Sequence, residues 1–65
     1  MEYNGMSWTL SEFIMQVLTE YGPMKSIDIS NKFNVKYSSV SSTLTTLKQQ
    51  GAVLNINRVW QVVIE

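Results

Sequence analysis

Apolar residues recur on two different periods in this chain, and the change falls at Gly51. Before it they return every three or four residues, the spacing that lays one stripe along an α-helix. After it come runs rich in β-branched side chains, Ala52-Val-Leu-Asn-Ile56 and Val59-Trp-Gln-Val-Val-Ile64, which suit a pleated strand. Helical stretches followed by a strand pair predict an α+β domain. The chain has 65 residues, enough for one domain, 1–65, that buries only about 60% of the surface its unfolded form exposes.

Neither cysteine nor histidine occurs anywhere in it. Disulfides and thiolate zinc sites are therefore excluded, and apolar packing has to hold the fold together. The usual general base, the common metal ligands and the activated thiol are missing, and the serines have no evident base to activate them. The expectation is a protein that is not an enzyme and uses no cofactor or metal. Hydrophobic residues at 45% against 15% charged describe a folded chain rather than a disordered tail. No apolar run approaches the roughly 18 residues of a membrane-spanning helix, and the start MEYNGMSW lacks the basic and apolar stretches of a signal peptide. This reading expects no membrane partner and a cytoplasmic location.

Local signals divide the chain further. Thr9-Leu-Ser-Glu12 has the form of a capping box, which predicts a helix over 9–22 preceded by an N-terminal arm, 1–8. Phe13, Ile14, Val17, Leu18 and Tyr21 form its apolar stripe, and Gly22-Pro23 ends it. A second helix fits 26–33, with Ser26 as N-cap, Asp28 in the first turn and Ile29 and Phe33 one turn apart. Asn34 suits the left-handed stop, and Val35 is placed to tuck into the core. A third helix covers 37–50, with Val40, Leu44 and Leu47 as a narrow apolar seam and Gly51 as its terminator. A hairpin over 52–64 then turns at Asn57-Arg58, where asparagine accepts the positive φ of tight turns.

Helix, short helix, tight turn, helix, hairpin is an order that resembles the winged helix-turn-helix superfamily over nearly the whole chain. The resemblance rests on Ile29, Phe33, the turn Asn34-Val35, the run Ser38-Ser-Val-Ser-Ser-Thr-Leu44, and Leu47-Lys-Gln-Gln-Gly-Ala-Val53 leading to Trp60. It implies a recognition helix, 37–50, in the major groove of DNA, a second helix crossing above it, and a wing, 52–64, on the phosphate backbone or in the minor groove. A wing tryptophan also occurs in the relatives that bind left-handed nucleic acid. Aligning through Leu47 and Gly51 sets Ser41 and Thr45 where those relatives carry asparagine and tyrosine, so Trp60 is read instead as a cover for the core.

The residues themselves point the same way. Seven of the nine positions from Ser38 to Thr46 are Ser or Thr, poorer helix formers than Ala, Glu or Lys, and short enough to let a helix backbone approach a groove. Opposite the apolar seam lie Ser38, Ser42, Thr45 and Gln49, with Ser41 and Lys48 on one flank and Thr46 on the other. Lys36 and Tyr37 at the helix entrance and Lys48 near its end are candidate phosphate contacts. Arg58 at the hairpin tip is a candidate for a phosphate or a narrow minor groove. The candidate DNA-binding set is thus Lys36, Tyr37, Ser38, Ser41, Ser42, Thr45, Lys48, Gln49 and Arg58.

The formal net charge is zero, but the charges are segregated. Residues 1–28 hold Glu2, Glu12, Glu20 and Asp28 against Lys25, whereas 29–65 hold Lys32, Lys36, Lys48 and Arg58 against Glu65. The leading expectation is sequence-specific binding to double-stranded DNA by a small transcriptional or recombination regulator. Four cations neutralise few phosphates, so a homodimer reading two half-sites is expected to supply the rest. Such a binder would sit on the nucleoid. The rival expectation is a winged-helix module that docks on a protein partner or inhibits a larger assembly, with Tyr37 or Trp8 as aromatic anchor. Tyr3 and Trp8 otherwise staple the start of the first helix or join a dimer contact.

Overall fold

In the computed structural model, which describes residues 9–63, six elements follow in chain order. They are α1 (Leu10–Tyr21), β1 (Met24–Lys25), α2 (Ser26–Phe33), α3 (Tyr37–Gln49), β2 (Val53–Ile56) and β3 (Val59–Val62). Three helices and a wing hairpin are the expected α+β architecture. The arm 1–8, with Tyr3 and Trp8, lies outside the described residues.

The capping box of α1 is complete. The Glu12 N–H donates to Thr9 Oγ1 at 3.2 Å, and Thr9 N–H donates to Glu12 Oε1 at 3.1 Å. Two otherwise orphaned backbone donors are satisfied reciprocally. Phe13, Ile14, Val17 and Leu18 are buried, and Gly22 ends the helix at φ +82°. Tyr21 departs from the expected stripe, since it is 46% exposed. It sits one turn past the core, where its ring meets Phe33 edge-on at 5.5 Å and carries the Lys32 ammonium 5.3 Å above its centre.

Two corrections follow at the start of α2. Met24 and Lys25 form a strand, β1, in a stretch to which the sequence assigns no element, and Lys25 is the helix N-cap. Ser26 is therefore the first helical residue rather than the cap. The reason is that Lys25, already extended at φ −83° and ψ 152° to pair with the sheet, leaves the helix to begin one residue later. Asn34 stops α2 in the left-handed region at φ +54°. Val35 N–H then donates to the Ser30 carbonyl at 3.1 Å, and Ser30 Oγ donates to the Val35 carbonyl at 2.6 Å. Backbone and side chain of Ser30 thus clamp both polar groups of Val35, fixing the turn between α2 and α3.

α3 buries Val40, Leu44 and Leu47 and ends one residue before the expected boundary, at Gln49. Its exit is a Schellman turn: Gly51, at φ +78°, donates to the Lys48 carbonyl at 3.0 Å, and Ala52 donates to the Leu47 carbonyl at 2.9 Å. The strands, Val53–Ile56 and Val59–Val62, leave out Ala52 and Val63 of the expected runs, although Val63 N–H still reaches the Ala52 carbonyl at 3.1 Å, and Ile64 lies outside the described residues. Asn57 and Arg58 link them with φ of 52° and 67°, the two positive values of a type I′ turn.

The antiparallel sheet has the order β1-β3-β2. Val53 faces Val62 and Ile56 faces Val59 across the hairpin, while Met24 faces Trp60 and Lys25 faces Val59 on the other side. Side chains alternate across the pleat, so Val53, Trp60, Val62 and Met24 share the face turned to the helices. There Val53 is buried with Phe13, Ile14, Val17, Leu18, Ile29, Val40, Leu44 and Leu47, and Met24, Trp60 and Val62 pack against them. Trp60 covers the core, as expected. Leu54, Ile56, Val59 and Gln61 occupy the outer face with Lys25. No helix among the described residues is long and apolar enough to cross a membrane.

Candidate nucleic-acid interface

The seam of Val40, Leu44 and Leu47 fixes how α3 is rotated, and with it which side chains look outward. Tyr37, Ser38, Ser42, Thr45, Lys48 and Gln49 are exposed, as is Lys36 at the N-cap, while Ser41 is half-buried at the margin. The eight α3-side candidates therefore lie along one helix and its entrance, with Ser41 at the edge of the face rather than on it. Tyr37 is the largest of them, 49% exposed.

The hydroxyls on this face fall into two groups. Thr45 Oγ1 donates to the Ser41 carbonyl at 3.0 Å and Thr46 Oγ1 to the Ser42 carbonyl at 3.1 Å. Each spends its proton within the helix and offers only lone pairs outward. Ser38 and Ser42 make no such bond among the described residues, so each keeps a rotatable donor and acceptors for an incoming partner. No acidic residue occurs in α3, β2 or β3. α3 also starts without a side-chain cap or a carboxylate in its first turn, leaving the positive end of its dipole uncompensated.

At the wing, Arg58 is exposed at the tip and held in the left-handed region at φ +67°. That conformation costs a residue with a Cβ about 1 kcal/mol or more, and glycine would adopt it freely. Asparagine at 57 tolerates it; arginine has no such local excuse.

Two residues outside the candidate set matter. Lys25, which the sequence assigns to the acidic half, is carried by β1 to the position opposite Val59, next to Arg58. Nothing local in Met-Lys announces a strand, and only the register reveals it. Ser30 shapes the α2–α3 turn through the bond described above, and a serine four residues before a left-handed asparagine is the signal that would have found it. Among the described residues no cluster of three or more His, Cys, Asp or Glu side chains could hold a metal ion.

Comparisons of the chain with protein-family models, with curated proteins and with solved structures returned no match.

Proposed function

We propose that this chain binds double-stranded DNA sequence-specifically, as a small transcriptional or recombination regulator that acts by occupancy, without catalysis or cofactor. The observation that carries the proposal is the pairing of an acid-free, hydroxyl-rich outward face on α3 with a wing that keeps an arginine where glycine is cheaper. In this reading α3 enters the major groove. Ser38 and Ser42 present free donors and acceptors to base edges, Thr45 and Gln49 add acceptors and an amide, and Lys36, Tyr37 and Lys48 meet phosphates at the groove walls. Arg58 reaches the backbone or the minor groove beyond. The chain's resemblance to winged helix-turn-helix proteins supports the same division of labour. One protomer supplies few cations, so the working unit is a homodimer on two half-sites about one helical turn apart. Its place of action is the cytoplasm, on the nucleoid.

A docking module is the second reading, favoured by a specific observation: Tyr37, Ile27, Leu54 and Ile56 are each between 45% and 53% exposed. Salt separates the two. Fluorescence anisotropy with random duplex DNA at about 0.05 and 0.2 M salt, with sedimentation in parallel, should give micromolar binding that weakens steeply as salt rises. No binding at the lower salt would transfer the function to a protein partner, whose apolar contacts respond little to salt.

A further inference from the structure

We infer that Lys25 is a second wing cation, contacting the same stretch of phosphate backbone as Arg58. The inference rests on the DNA-binding reading and extends it to a residue the charge pattern assigns to the opposite half of the chain.

Its basis is the register of β1. Lys25 pairs with Val59, the residue that follows Arg58, so the Cα atoms of the two cationic residues lie within about 9 Å of each other. Lys25 is exposed, and Val59 and Ile56 sit beside it on the outer face of the sheet, away from the core. Among the described residues neither Lys25 nor Arg58 forms an ion pair. Nor does Lys25 serve as a side-chain cap for the helix it precedes. Asp28 is the nearest carboxylate in sequence, one turn into α2, and makes no salt bridge with it.

Lys25 faces Val59 rather than Arg58, so the two cations are neighbours and not a directly opposed pair, and neither gains from the other's charge. A phosphodiester between them reverses the sign of the interaction. Lysine meets phosphate as a compact point charge on a flexible stem, and arginine meets it through a planar fork, so the pair suits an irregular polyanion track. Sheet pairing adds positional fixity: β1 ties Lys25 to the wing, and both cations approach DNA as one rigid unit.

The test compares Lys25→Gln with Lys32→Gln, which removes the same charge from the side chain stacked over Tyr21. Binding of each full-length protein to random duplex DNA is followed by anisotropy over a salt series. Lys25→Gln should flatten the slope of log K against log salt by about 0.9 and weaken binding about eightfold at about 0.1 M salt, the share of one phosphate contact. Lys32→Gln should leave the slope within error of wild type. Thermal melts should show Lys25→Gln folding as stably as wild type, because the exposed Lys25 side chain makes no ion pair and no helix cap. Equal effects of the two variants, or an unchanged slope in Lys25→Gln, would overturn the inference while leaving DNA binding standing. Absence of wild-type binding would overturn both.

Discussion

α1 and α3 are helices of nearly equal length, 12 and 13 residues, packed on the same core, yet they are composed in opposite ways. α1 opens on a reciprocal capping box with a carboxylate in its first turn. α3 opens on Lys36 with neither. α1 buries Phe13, Ile14, Val17 and Leu18 under an ordinary polar surface, whereas α3 buries a thinner seam and covers its outer side with hydroxyls. The same contrast continues in the turns. Gly22 and Gly51 take positive φ without cost, and Arg58 takes it at a cost. Positions that break local rules without a stabilising return tend to mark function, and here they gather on α3 and the wing. α1 keeps to those rules, and both helices share one core.

The comparison has a shared foundation that one substitution removes. Leu44→Ala, in the fully buried seam of α3, should cost about 3 kcal/mol, a large part of what so small a domain has. Urea unfolding would measure it, and a loss below about 1 kcal/mol would mean that α3 is not integral to the core. Next in size is Ser42→Glu, which places a carboxylate on the exposed face without touching the seam. DNA affinity should fall at least about thirtyfold, roughly 2 kcal/mol, while the melting midpoint stays near wild type. Retained binding would show that α3 is not the reading helix.

Arg58→Gly sharpens the contrast in both directions at once. Relief of the left-handed strain should stabilise the fold by about 1 kcal/mol even as binding weakens and its salt slope flattens. A variant that gained stability at no loss of affinity would strip the wing of its role. The smallest effect belongs to α1. Hydrogen bonds from the Thr9 backbone N–H, and then from its hydroxyl, hold Glu12 below its ordinary pKa of 4.5. Its folded pKa is depressed, so its share of stability is present above pH 4.5 and lost as pH falls through the lower folded value. Acid titration of the melting midpoint should show this small decline in wild type and not in Glu12→Gln.

What could be read in advance was whatever short-range chemistry dictates. Thr9 and Glu12 announce a cap, Asn34 and Gly51 announce left-handed stops, and Asn57 announces a tight turn, because each requirement is satisfied within a few residues. The buried seam of α3 is legible for the same reason, and it determines which hydroxyls face outward. β1 is not legible. Two residues show no period, and their partner, β3, lies at the far end of the chain. That omission also misplaced the cap of α2 by one residue and hid Lys25 from the candidate set. Tyr21 was misassigned because periodicity cannot tell where along a helix the core runs out.

The pairing of β1 with β3 also has a consequence in time. The contacts of α2 with α3, and of β2 with β3, join neighbours in sequence and close short loops, whereas Met24 cannot meet Trp60 until everything between them has been gathered in. Completion of the sheet, like the docking of α1 on β3, has to wait for distant parts of the chain to meet, which is expected to place it late in folding. Substitutions at Met24 should accelerate unfolding far more than they slow folding. The wing itself stays anchored to the core through Val53, Trp60 and Val62.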